Sequence, residues 1–267
     1  MDASLKRTGS PTLFYQVEGR QIDTDRPTVV LIHGVGADGS SWDEVVPALT
    51  PHFTVIRLDL RGHGRSGPVE GALVLEDFAH DVLDVMTAAG VARAHVVGFS
   101  LGGMIAQSLA LDHAERVDRL VLLSAVAGRT EQERARVRER LEILRTQGIG
   151  AITGAAQDRW FTAGFIERHP ELVRHRMEQL KHNHAASYAA AYTVFSTSDL
   201  GERLHGITRP TLVATGEHDV GSNTRMALFM HAQIPGAQLR ILPDLKHSVL
   251  VEAPNTIAEM LLNFLTS

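Results

Sequence analysis

Three residues of this chain have the types and the order that nucleophilic acyl chemistry requires. In "AHVVGFSLGGMIAQSLAL" an apolar run passes directly into Gly98-Phe99-Ser100-Leu101-Gly102, and a helical pattern begins at once. Glycines two residues to either side leave a serine room on a sharp, strained turn, with its hydroxyl standing clear of the strand. That hydroxyl is a weak nucleophile at neutral pH, so it needs a base, and the base needs an acid to orient it. Downstream, "LVATGEHDVGS" presents Asp219 after one strand-like run, and "LRILPDLKHSVLVEAP" presents His247 after the next. Ser100, Asp219 and His247 are therefore expected to be nucleophile, orienting acid and base. Asp244, three residues before His247, competes for the acid's role. The position after "RLVLLSA" does not, because it offers only Ser124 and Ala125.

The stretch "HGVGADGS" at 33–40 raises a separate question. Gly34, Gly36 and Gly39 form GxGxxG after the run Thr28-Val29-Val30-Leu31-Ile32, and Asp59 lies 20 residues beyond Gly39, as a dinucleotide fingerprint would have it. The serine turn favours another use. A carbonyl under attack becomes an oxyanion and needs N–H groups fixed in advance where its oxygen will lie. Val35 can supply one and Leu101, just after the nucleophile, the other, so the glycine loop is expected to be an oxyanion loop and Asp59 part of the loop "DLRGHGRS". His33 is expected to orient the loop it begins. Among the fourteen histidines, His63 is expected to brace a turn. His182 and His184 face apart if helical, which disfavours a metal pair.

The elements that must position these residues alternate. Strand-like runs "TLFYQVEG", "TVVLIHG", "TVIRLDL", "AHVVGFS" and "VDRLVLLSA" are separated by helical patterns over about 41–49, 75–89 and 101–112. That rhythm implies parallel strands joined by crossover helices. From about 129 to 208 it breaks into charged helical sequence, and then "RPTLVATG" and "AQLRILPD" resume it. The expected organisation is a core of 1–128 and 209–267 with a helical cap inserted at 129–208. Within the insertion, "RTEQERARVRERLEILRTQG" carries only a narrow apolar edge, Val137, Leu141 and Leu144, and reads as a solvated helix. "PNTIAEMLLNFLTS" reads as a closing helix with Pro254 near its start.

Composition narrows the partners. With 26 basic against 31 acidic residues the net charge is −5, which gives no field to gather nucleic acid or an anionic membrane surface. The chain has no cysteine, so disulfides, thiolate nucleophiles and Cys-bound zinc are excluded. No apolar run reaches membrane-spanning length, and "MDASLKRTGSP" lacks the apolar core of a signal peptide. A cytoplasmic protein acting on a small molecule is expected.

Taken together, "HGVGADGSSW", "DLRGHGRSGP", "GFSLGG", "GEHD" and "HSVLVEAPNTIAEMLLNFL" resemble the α/β-hydrolase superfamily along essentially the whole chain. The resemblance implies a mostly parallel twisted sheet flanked by helices, a Ser-His-Asp triad, and neither metal nor organic cofactor. With the segment "DRWFTAGFIERHPELV", the chain is most similar to 3-oxoadipate enol-lactonases and related small lactone and ester hydrolases. That resemblance and the short, Arg-rich cap point to a small, carboxylated lactone or ester as substrate; Trp160, the only tryptophan of the cap, is expected to line the pocket, and Arg138, Arg140 or Arg159 to meet the carboxylate. Hydrolases of C–C bonds in ring-cleavage products, cofactor-free oxygenases or perhydrolases, and non-catalytic receptors share the scaffold and are the alternatives.

Overall fold

In the computed structural model, which describes residues 1–7, 10–19 and 26–267, the strand-like runs build one eight-stranded sheet. Its strands are β1 (Asp2–Arg7), β2 (Ser10–Glu18), β3 (Thr28–Ile32), β4 (Thr54–Leu58), β5 (Ala94–Phe99), β6 (Val117–Leu123), β7 (Thr211–Gly216) and β8 (Gln238–Leu242). Their spatial order is β1-β2-β4-β3-β5-β6-β7-β8. The pairs β1/β2 and β2/β4 are antiparallel, and every other pair is parallel. The β1 strand is not evident from the sequence, because "DASLKR" offers only Ala3 and Leu5 as an alternating apolar face. An edge strand needs no more, and these two pack against the core.

The helices are α1 (Val46–Leu49), α2 (Leu75–Ala88), α3 (Leu101–Asp112), α4 (Glu131–Gln147), α5 (Ile149–Trp160), α6 (Ala163–Arg168), α7 (Pro170–Lys181), α8 (Ala185–Thr197), α9 (Thr224–Gln233), α10 (Val249–Glu252) and α11 (Pro254–Leu265). The helix expected over about 41–49 is instead a 3-10 turn at Gly39–Trp42 and then the single turn α1. Pro47 explains the break, since it has no N–H to continue a helix begun upstream. Among the described residues no helix is long and apolar enough to cross a membrane.

β3, β4 and β5 are buried at every residue, as strands covered on both faces must be. Alternate side chains feed two cores. Val30, Ile32, Ile56 and Val96 pack with α2 and α3, whereas Val29, Leu31, Val55 and Val97 pack with α1 and α11. The chain therefore leaves β3 toward one face and β5 toward the other, and a crevice opens between their ends, where open α/β sheets hold ligands.

Between β6 and β7 run α4 to α8. Thr130 caps α4 by accepting from Glu133 N–H at 3.2 Å, while Glu133 accepts from Thr130 N–H at 2.7 Å. Val137, Leu141 and Leu144 are the buried residues of α4, so its narrow apolar edge is the face that packs. The segment is tied down at the crevice: Ser187 Oγ accepts from Val69 N–H at 2.9 Å, and Trp160 O accepts from Ser248 N–H at 2.9 Å.

Candidate active site

Ser100 lies between β5 and α3 with φ 56° and ψ −113°, in the left-handed region that side chains avoid. Its surroundings hold it there. Ser100 N–H donates to Leu123 O of β6 at 2.9 Å, and the flanking glycines admit no side chain. A Cβ on Gly98 would lie 2.1 Å from Gly102 O, and one on Gly102 would lie 2.2 Å from Ile32 O. Ser100 is thereby fixed at the end of the sheet, opposite the loop that leaves β3.

His247 and Asp219 reach the same place from the loops after β8 and β7. His247 Nδ1 donates to Asp219 Oδ2 at 2.6 Å, which leaves Nε2 as the ring nitrogen free to take a proton. Asp219 Oδ1 accepts from Gly221 N–H at 2.8 Å and Ser222 N–H at 2.9 Å. Burial alone would raise this carboxyl, but His247 and the two N–H groups outweigh it and hold it below the usual range. Asp244, the competing acid, is exposed and lies 4.0 Å from His218 Nε2. It does not contact the imidazole.

The glycine loop meets Ser100 directly, for a Cβ on Gly34 would lie 3.1 Å from Ser100 Cβ. Its orientation is set by His33. Leu60 N–H donates to His33 Nε2 at 2.9 Å, so Nδ1 carries the proton and donates to Gly34 O at 2.7 Å. Gly34 O also accepts from Ala37 N–H at 3.2 Å. With the carbonyl tied on one side, the Val35 N–H of the same trans peptide must point to the other. Val35 lines the cavity beside Ser100. Neither Val35 N–H nor Leu101 N–H has an acceptor among the described residues, so two donors remain unused next to the serine.

The other histidines and Asp59 fall outside this arrangement. Burial pushes His63 down to about 3 and His33 to about 4. His63 Nδ1 bonds Arg61 O at 3.0 Å, and its ring is absent from the cavity lining. Asp59 is buried and accepts from Gly39 N–H and Arg65 N–H, each at 2.8 Å. It pins two loops together. His182 Nδ1 bonds Glu178 O at 2.7 Å, and His184 Nδ1 bonds Ser187 Oγ at 2.9 Å at the start of α8.

A cavity joins Ser100, His247 and Asp219 to the helices above. Trp160 lines it, with its ring centroid 6.5 Å from that of His247. It also packs against the apolar clusters of both regions, so one side chain both anchors and lines. Arg140 and Arg159 reach the cavity, but Arg138 does not: it is exposed and pairs with Glu131 on the outer face of α4. The expectation for Arg138 is corrected on that ground. Two residues along the helix from Arg140, it projects to a different side.

Arg140 Nε donates to Tyr192 Oη at 3.1 Å. Arg159 has no hydrogen-bond partner among the described residues, and burial together with neighbouring Arg140 holds its guanidinium below the ordinary value. A third arginine, Arg176 of α7, also lines the cavity. Sequence reasoning missed it, although a signal was present: Arg176 lies four residues before Leu180 and three after Val173, both buried, so it falls among the inward residues of α7. Tyr188, Tyr192 and Phe195 form the cavity's aromatic wall.

Comparison with known proteins agrees with the fold. A family profile described as alpha/beta hydrolase fold matches residues 27–144. The 3-oxoadipate enol-lactonase 1 of Acinetobacter baylyi is 27% identical over 96% of this chain and 94% of its own. RutD of Caulobacter sp. (strain K31), provisionally named a carbamate hydrolase, is 30% identical over 95% of this chain and 96% of its own. The crystal structure of the enol-lactonase from Burkholderia xenovorans LB400 superposes with a TM-score of 0.92 and 31% identity, covering 99% of this chain and 100% of that one.

Proposed function

The chain belongs to the α/β-hydrolase family, and from that premise we propose that it is a serine hydrolase opening a small carboxylated lactone or ester through an acyl-enzyme. One observation carries the reading. A single cavity holds a serine on a strained turn, a histidine bonded to a buried aspartate, and the guanidinium groups of Arg140 and Arg159 with no carboxylate in ion-pair reach among the described residues. Two like charges side by side in a half-buried site are unfavourable until an anion joins them. A planar guanidinium binds a carboxylate through paired, charge-assisted bonds.

In this mechanism Ser100 Oγ attacks the carbonyl carbon as His247 Nε2 takes its proton, and Asp219 stabilises the imidazolium. The oxyanion accepts from Val35 and Leu101 N–H. Collapse breaks the C–O bond, and His247 returns the proton to the leaving oxygen, which in a lactone stays on the same molecule. Water, deprotonated by His247, then releases the acyl group from Ser100. The helices from α4 to α8 act as a cap that limits substrate size and excludes water.

Ser100→Ala and His247→Ala should each lower kcat by about 10⁴- to 10⁶-fold, and the double variant should be little worse. For the carboxylate, Arg159→Gln should cost an acid substrate about 2 kcal/mol, roughly 30-fold, more than it costs the matching neutral ester. That figure is at the low end for a buried pair because Arg140 remains. Equal losses on acid and neutral substrates would refute the carboxylate assignment and leave the hydrolase intact.

A further inference from the structure

Arg176 stands apart from the arginine pair. Burial and neighbouring Arg140 lower Arg159, whereas burial lowers Arg176 and Asp38 of the glycine loop partly offsets it. It rises from α7, whose Leu180 packs on Gly36. Its side chain lines the catalytic cavity and also an outer groove bordered by Asp43, Glu44, His169, Gln179, Leu250 and Glu252.

Its surroundings hold the guanidinium without neutralising it in contact. Arg176 Nη1 donates to Gln179 Oε1, while Gln179 Nε2 donates to Asp38. Asp38 Oδ1 further accepts from Ser40 N–H at 2.8 Å. The amide of Gln179 thus separates cation from anion, and no carboxylate among the described residues forms an ion pair with Arg176. Its Nε and Nη2 carry no hydrogen bond among the described residues. A clamped guanidinium with two donors unused has the form of an anion subsite.

Resting on the reading of this cavity as a hydrolase site, we propose that Arg176 is a second carboxylate subsite, so that the preferred substrate bears two carboxylates, one held by Arg140 and Arg159 and the other by Arg176. The reacting carbonyl would be presented to Ser100, which lines the same cavity as all three arginines. Two anchors at separate points fix both the position and the direction of a flexible molecule, which one anchor cannot do.

Equilibrium binding tests this without catalysis. Calorimetric titration of the wild-type protein would use the unbranched dicarboxylates from succinate to suberate and the monocarboxylate of matching length for each. The best diacid should bind at least about tenfold more tightly than its monoacid. Arg176→Met should abolish that preference, Arg176→Lys should keep part of it, and Arg159→Gln should weaken monoacid and diacid alike. The proposal is overturned if no diacid outbinds its monoacid, if Arg176→Met retains the preference, or if Arg176→Met weakens both in the same proportion. Ser100-dependent turnover of p-nitrophenyl acetate by the wild type, measured alongside, reports on the hydrolase reading separately. Its absence with the diacid preference intact would remove the reaction and keep the subsite.

Discussion

His33 makes two hydrogen bonds with different consequences, and two substitutions should separate them. Asparagine places its amide where Nδ1 lies, so His33→Asn can still donate to Gly34 O but leaves Leu60 N–H without its acceptor. Glutamine reaches the position of Nε2, so His33→Gln can still accept from Leu60 N–H but frees Gly34 O. The Leu60 bond is 2.9 Å long and buried, and an orphaned buried donor costs about 1–3 kcal/mol. His33→Asn should therefore lose stability in that range and keep most of its kcat. For His33→Gln, Gly34 O retains only the longer 3.2 Å bond from Ala37 N–H beside the lost 2.7 Å bond, so Val35 N–H is misdirected but not removed. Deleting an oxyanion donor outright costs about 10²- to 10³-fold in kcat. The expected loss here is smaller, about 10- to 100-fold, with KM for a neutral ester little changed. Urea unfolding and steady-state hydrolysis of p-nitrophenyl acetate measure the two quantities. If both variants lost stability and kcat in parallel, or if His33→Gln kept full kcat, the orientation of Val35 N–H would not depend on His33.

Other perturbations reach the same loops by different routes. His33 and His63 sit at about 4 and about 3 when folded, against 6.5 as the ordinary value, so the unfolded chain binds more protons between these limits. Because charging either ring in the folded state is penalised, stability is highest above about pH 6.5 and falls as pH drops toward 4 and then 3; urea midpoints from pH 7.5 to 4.5 should show the fall, and His63→Gln should flatten it. A Cβ on Gly102 would press on the carbonyl oxygens of Ile32 and His33 at 2.2 and 2.8 Å, so Gly102→Ala should cost about 1–3 kcal/mol or more along with kcat. Gly154→Ala, within α5 with nothing within 4 Å, should instead stabilise by about 0.5–1 kcal/mol; thermal melts of both compare them. Finally, titration with NAD, NADP or FAD should show no saturable binding up to about millimolar concentration, and tight binding that depended on Asp59 would overturn the account of residues 33–40.

How much the sequence disclosed depends on how local each constraint is. The serine turn was legible because its geometry is imposed within five residues, where Gly98 and Gly102 admit nothing larger. Fully buried strands such as "TVVLI" were legible because a sheet covered on both faces accepts only apolar runs. The pairing of Asp219 with His247 needed two loops that the sequence could place at strand ends but not in contact. The arginines were least legible. Arg138 and Arg140 lie in the charged α4 and Arg159 at the end of the mostly uncharged α5, and only the rotation of these helices against the sheet sends Arg140 and Arg159 inward and Arg138 to Glu131. Arg176 had a local mark, a charge among the apolar inward residues of α7, but such a mark does not say what it faces. β1 left almost none, because an edge strand is specified by the register of its neighbour.

The glycine loop shows why one pattern serves two chemistries. After a parallel strand, glycines let the backbone turn tightly and bring N–H groups to a ligand, whether phosphate or oxyanion. The two uses differ in where those N–H groups are spent. A dinucleotide site needs them unspent at the start of a sustained helix, whose dipole favours the pyrophosphate. Here Gly39 N–H is spent on Asp59 and Ser40 N–H on Asp38, each at 2.8 Å, and the chain continues into a four-residue 3-10 turn and the single turn α1. The carboxylate that sits 20 residues on, where a ribose partner would be expected, consumes Gly39 N–H, a donor that a phosphate would require. The Val35 N–H is left over, and His33 turns it toward Ser100. The match to the fingerprint thus reflects the shared need for a tight turn after a strand, and the side chains that spend or spare the resulting donors decide the chemistry.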